Sequence, residues 1–287
     1  MNRERAQEYE TSTELGSHYL IQEMFTMVLK SKEPNKVVIT VPHDGTDGRS
    51  LFGEELKPRE KGFKESDAGV WSIASNAVLA PGFKTSGVIS TVRGLMPREF
   101  IDYNRGWPEG VNYYPLKQGE TETALEDARL APIYFRYHDW VKSLVALSVQ
   151  NYGGENSLLI DLHGFGRQPE FAPKPDGYDI ILGTGNRQSV PHGEIDRELG
   201  QYLKDLGYTV FVSREIAKGG KEEELYAAGF TTRLYSEMFG INAIQIEIAP
   251  KFRDYWTGET LGPKLSKDLI SFIDEHYSTP MPTEVCK

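Results

Sequence analysis

The sequence predicts an α/β protein, a three-layer αβα domain built on a mixed, largely parallel sheet, and three observations lead there. Apolar runs of strand length alternate with helical patterns along most of the chain. His43, His163 and Glu247 fall at or near the carboxyl ends of separate strand candidates, the edge where open α/β sheets place their ligands. The chain of 287 residues can bury one large core, and no Gly/Ser/Pro linker marks a boundary, so residues 1–287 read as a single domain.

Taken in order, "KVVITVPH" reads as a buried strand ending at Pro42-His43, because an apolar run without alternation suits a strand covered on both faces. "DAGVWSIASNAVLA" follows as a helix, and "GVISTVRG" as a second strand candidate. From Glu120 to Asn151 the pattern is helical, with Pro132 as a candidate break. "SLLIDLHG" returns to strand, and its glycines stop it. "YDIILGT" and "YTVFVS" are strands on either side of the helix "GEIDRELGQYLKDLG". A short helix "TTRLYSEMFG", the strand "NAIQIEIA" and the helix "KLSKDLISFIDEHY" complete the pattern.

Composition narrows the function. With 32 basic against 42 acidic residues the net charge is −10, and the basic residues are scattered, which argues against nucleic acid as a partner. No apolar run approaches the roughly 20 residues that span a bilayer, and the charged start "MNRERAQEYETSTEL" does not read as a secretory signal. The expected location is the cytoplasm. The lone cysteine, Cys286, lies next to last, which removes intrachain disulfides, thiolate zinc clusters and a cysteine nucleophile. A metal, if held, would be held by histidine and carboxylate.

Asp161 and His163 are two apart on one strand and face the same side. They suit a metal ligand with its orienting carboxylate, a catalytic pair, or a packing salt bridge. A catalytic zinc usually takes three protein ligands. His43 and His163 are the first two candidates and Asp67 the third, with Asp44 and Asp47 as fallbacks. Asp67 equally suits a helix N-cap. Glu247 shares its strand face with Gln245, opposite Ile244, Ile246 and Ile248. A buried carboxylate is costly unless paired, so Glu247 is either a general base beside a metal or the partner of an arginine. In "REFIDYNRGW" the Arg105 fork suits a substrate carboxylate, and equally an internal bridge to Asp102. His192 reads as lying near a helix start, and His18 and His276 as surface residues. No G-x-S-x-G elbow, H-E-x-x-H pair or phosphate-binding loop is present, and "GTGNRQ" fails the dinucleotide fingerprint.

"VVITVPHDG", "FIDYNR", Tyr137-His138, "LLIDLHGF", Gly219-Gly220 and "IQIEI" occur in the order of similar motifs in the N-formylglutamate amidohydrolase family, which the chain resembles over roughly residues 36–250. The resemblance implies a zinc carboxypeptidase-like (phosphorylase/hydrolase-like) fold and hydrolysis of the amide of an N-acyl amino acid. It implies His43, His163 and, on a less regular spacing, Asp67 as ligands of Zn2+ or another divalent metal. It implies Glu247 as general base or acid, and Arg105, with Asp102 and Asn104 of the same motif, at a small substrate's carboxylate. His138 would either polarise the scissile carbonyl or serve the structure. "PHDG" in place of "PHSG", the long approach "STVRGLMPREFIDYNR" and "APKFRDYW" after Glu247 depart from the pattern and touch the substrate pocket more than the metal. The expected activity is cleavage of an N-acyl amino acid such as N-formylglutamate. The alternatives are a carboxypeptidase or deacylase on another N-acyl amino acid or short peptide, and an inactive metal- or ligand-binding protein.

Overall fold

The structure, a computed structural model, describes residues 11–15, 18–46, 56–79, 88–107, 122–166, 172, 177–212, 228–253 and 261–277. Its strands are β1 (Thr11–Leu15), β2 (His18–Glu23), β3 (Thr26–Ser31), β4 (Val37–Val41), β5 (Ile89–Gly94), β6 (Leu158–Gly164), β7 (Ile180–Gly183), β8 (Val210–Val212) and β9 (Asn242–Ile248). Among the described residues they form one sheet in the order β1-β2-β3-β5-β4-β6-β9-β7-β8. The centre, β5-β4-β6-β9, is parallel. β1, β2 and β3 extend it as antiparallel strands, and β7 joins β9 antiparallel with β8 parallel beyond it.

The helices are α1 (Val70–Leu79), α2 (Ala131–Tyr152), α3 (Ile195–Asp205), α4 (Phe230–Phe239) and α5 (Leu261–Tyr277). They sort by sheet face because alternate strand residues point to opposite sides. Val37, Ile39, Val41, Ile160, Leu162 and Ile246 pack with α1, α3 and α5 in one core. Val38, Leu159 and Ala243 pack with α2 and α4 in the other. This two-sided burial is why β4, β6 and β9 read as apolar runs. Pro132 does not divide α2. It lies in the first turn, where a missing N–H costs nothing, and residues 120–121 lie outside the described set. No helix among the described residues is long and apolar enough to cross a membrane.

Three features differ from the sequence reading. The helical pattern expected from Glu120 becomes an α-helix only at Ala131, with residues 122–127 irregular and Ala128–Leu130 a 3-10 turn. β1–β3 lie outside the strands read from the sequence: β2 and β3 join through Met24 and Phe25, both at positive φ, where a two-residue turn normally takes Asn-Gly. His18 is not a surface residue. It is 1% exposed, its Nε2 stands 2.8 Å from the Ile89 carbonyl, and burial pushes its pKa down.

The topology positions the site. β4, β6 and β9 are adjacent, with Thr40 opposite Asp161 and His163 opposite Glu247. In parallel register these side chains share the α2/α4 face, and all approach the carboxyl edge.

Candidate metal centre

His43 follows β4 past Pro42, and the chain returns so that the Asp67 N–H donates to the His43 carbonyl at 2.8 Å. That bond places Asp67 beside both imidazoles. His43 Nδ1 and His163 Nδ1 are 3.1 Å apart, and Asp67 Oδ2 lies 3.3 Å from each. All three side chains are buried.

The other ring nitrogens decide the tautomers. His43 Nε2 lies 2.6 Å from Asp102 Oδ1, and His163 Nε2 lies 2.9 Å from Asp161 Oδ2. An ionised carboxylate only accepts, so each Nε2 carries the proton and donates it. Both Nδ1 lone pairs then converge with a carboxylate oxygen, an arrangement that a shared cation relieves. Donors about 2.0–2.1 Å from a tetrahedral zinc lie roughly 3.3 Å from one another, close to the 3.1 and 3.3 Å found here. The donor set fits one divalent ion. Without an ion, burial opposes charge on His163, yet Asp161, Asp67 and Glu247 hold its pKa well above the ordinary value. Burial works to raise the Asp67 carboxyl, but the two imidazoles beside it hold it below the usual range.

Asp161 is fully buried and spends its other oxygen on Thr40, whose Oγ1 donates at 2.6 Å. Asp102 is buried as deeply. It accepts from His43, from Arg98 Nε at 3.1 Å and from the Asn104 N–H at 2.9 Å, with Arg59 at 3.5 Å. Burial opposes its ionisation, but His43 and Arg98 hold it well below the usual range. Asp102, expected at the substrate, has no open face: it is buried and its oxygens go to His43, Arg98 and the Asn104 N–H. Asn104 stands 3.3 Å from His163 Nε2, and its Oδ1 accepts from the Thr231 N–H at 2.8 Å. Arg105 does not bridge to Asp102. Its Nε donates to Glu122 at 2.9 Å, in a pair that is 26% and 35% exposed.

The capping role open to Asp67 is taken by Asp44, whose Oδ2 accepts from the Trp71 N–H at 2.5 Å in the first turn of α1. Asp44→Ala is expected to cost about 1 kcal/mol of stability through the lost cap while leaving metal content unchanged, as read by denaturant unfolding and metal analysis. Asp47 lies outside the described residues.

Glu247 accepts from Gln245 Nε2 at 2.8 Å and, among the described residues, forms no ion pair with an arginine. Burial raises its pKa, with His163 opposing and Asp67 adding. His138 stands elsewhere. It is fully buried on α2, its Nδ1 2.9 Å from the Tyr235 hydroxyl, among the rings of Tyr134, Tyr137 and Phe230. Burial lowers its pKa to about 3, against the Tyr103 carbonyl. A neutral imidazole enclosed in this way fits a structural role.

Arg98 and Arg253 were not singled out in the sequence. Arg98, one turn before Asp102, also reaches within 3.8 Å of Asp67. Burial opposes its charge, but Asp102 and Asp67 raise its pKa. The i,i+4 spacing of Arg98 and Asp102 was the available signal.

Fold and cluster together define a class: α/β proteins with a donor set for one divalent cation at the carboxyl edge of the sheet. Residues 35–252 match the model of the N-formylglutamate amidohydrolase family, and the chain belongs to that family. The crystal structure of N-formylglutamate amidohydrolase from Ralstonia eutropha superposes with a TM-score of 0.58 at 18% identity, covering 88% of this chain and 98% of that one. A gene product from Agrobacterium tumefaciens gives 0.53 at 18% identity, over 88% and 92% of the two chains. At such identities the likeness shows a shared fold. No curated protein matches the chain in sequence.

Proposed function

We propose that the protein is a zinc-type metal-dependent amidohydrolase that cleaves the amide of an N-acyl amino acid such as N-formylglutamate. The observation that carries this reading is the triangle of His43 Nδ1, His163 Nδ1 and Asp67 Oδ2, with both imidazoles turned lone pair inward by buried aspartates. His43, Asp67 and His163 would hold the ion. Bound there, it supplies a Lewis acid and lowers the pKa of water toward about 7.

The chain's own groups do the rest. Glu247, its basicity raised by burial, takes the proton of the attacking water and returns it to the leaving amine. Arg98, held charged beside Asp67, offers positive potential to charge developing on the scissile carbonyl. Arg105 takes the substrate carboxylate. Its half-exposed pairing with Glu122 is weak, so a substrate carboxylate can replace Glu122 on the guanidinium.

Metal analysis of the purified protein, followed by an amidase screen over N-formyl, N-acetyl and N-succinyl amino acids and short peptides, tests the reading. The expected result is one bound divalent ion and preference for a short acyl group on an acidic amino acid. A preference for peptides supports the carboxypeptidase alternative, and a metal-loaded protein that cleaves no amide overturns the enzyme reading. Asp102→Asn, which keeps shape but removes the charge behind His43, is expected to weaken metal affinity by about 10-fold or more, measured by chelator competition.

A further inference from the structure

We infer that Arg253 is a positioning residue for the metal centre, a three-way clamp on the segments that carry Asp67, His163 and Glu247. The inference rests on the metal-centre reading above and adds a residue to it.

The guanidinium donates in three directions. Nη1 reaches the Ala68 carbonyl at 3.0 Å, Nη2 the Phe165 carbonyl at 3.1 Å and Nε the Ile248 carbonyl at 3.1 Å. Those carbonyls belong to the residue after Asp67, the second residue after His163 and the residue after Glu247. One planar group thus ties together three chain segments that are far apart in sequence and each present a side chain to the cluster. Arg253 is itself anchored, its N–H donating to the Pro250 carbonyl at 2.8 Å.

Two glycines make room for it. A Cβ on Gly164, next to His163, would lie 2.4 Å from the Arg253 Cζ, so the guanidinium rests against bare backbone at the end of β6. A Cβ on Gly69 would lie 2.2 Å from the Arg253 carbonyl oxygen, and Gly69 has φ +89°, a conformation that side chains rarely adopt. The chain therefore approaches Arg253 closely on both the Asp67 side and the His163 side.

Lysine cannot reproduce the arrangement. Its ammonium is a point with three donors and lacks the planar spread that reaches three divergent carbonyls. The Ile248 and Phe165 carbonyls stand at and just past the end of the β6–β9 ladder, and the Ala68 carbonyl in the turn before α1. Ile248 keeps its pairing with Ile180 and the Phe165 N–H, so losing the guanidinium leaves the strands in place but removes the tie between them and the Ala68 segment, and small displacements of ligand or base are costly to function.

The test uses the full chain with Arg253→Met and Arg253→Lys, Zn2+ affinity by chelator competition, and the visible absorption spectrum of Co2+-loaded protein. Arg253→Met is expected to weaken Zn2+ binding by about 10- to 100-fold, in the range for groups that orient metal ligands, and to change the cobalt spectrum. Arg253→Lys should fall between it and wild type. A folded Arg253→Met variant with wild-type Zn2+ affinity and an unchanged cobalt spectrum overturns the clamp, even if its melting temperature falls. If that variant does not fold, wild-type affinity and spectrum in Arg253→Lys overturn it instead. Wild-type protein that binds neither ion overturns the metal-centre reading and the clamp with it; unchanged binding in the variants sinks the clamp alone.

Discussion

His163→Ala is expected to purify with little or no divalent metal, and His43→Ala and Asp67→Ala to behave alike, because two donors bind a zinc-type ion poorly. The fold should mostly survive. The cluster lies at the sheet's carboxyl edge, and the two cores above and below the sheet do not depend on it. Each loss also leaves buried groups behind. Asp161 loses its imidazole partner in His163→Ala, and Asp102 loses its own in His43→Ala. His163→Ala should melt lower than metal-stripped wild type, since a buried carboxylate without its charged partner is costly, and His43→Ala should lose less, because Asp102 keeps Arg98 and the Asn104 N–H. Chelation of wild type therefore separates the loss of the ion from the loss of the side chain. A His163→Ala protein with a full complement of metal would remove His163 from the donor set. Asp44→Ala, retaining its metal, is the control that separates the helix cap from the ligand.

The parts legible in the sequence are those with one physical cause. β4, β6 and β9 are covered on both faces, and that burial writes itself as an apolar run interrupted only by residues such as Asp161, His163, Gln245 and Glu247. The hairpin β2–β3 was hidden because Met24 and Phe25 adopt a turn that composition does not announce. Asp67 suits a helix N-cap as well as a ligand, and Asp44 stands in the sequence only as a fallback ligand. The difference lies in a tertiary contact, the Asp44 carboxylate capping α1 from across the loop. Asp102 and Arg105 share one motif and suit either a bridge or a substrate carboxylate, yet the two point apart, one to His43 and the other to Glu122. Arg253 gave no local sign at all. Its partners are backbone carbonyls, which every residue has, so only the folded arrangement distinguishes it from any other arginine.

Glu247→Gln keeps the size of the side chain and removes its basicity, so metal content and substrate affinity should stay near wild type while turnover falls by about 100-fold or more. The neighbourhood makes this a clean substitution. The wild-type carboxylate accepts from Gln245 Nε2 at 2.8 Å, and a glutamine at 247 still offers an amide oxygen to that donor. No arginine ion pair is broken among the described residues, so the large destabilisation that follows from orphaning a buried partner charge is not expected. The pH profile supplies a second reading. Glu247 must be ionised to take a proton, so kcat/KM rises with pH through its pKa, which burial holds above the ordinary carboxylate value. That acid limb should vanish in the glutamine variant. The deciding quantity is turnover per folded, metal-loaded molecule. A Glu247→Gln protein near wild type on that basis would sink the general-base assignment. His138, enclosed and neutral with its pKa near 3, could not take its place.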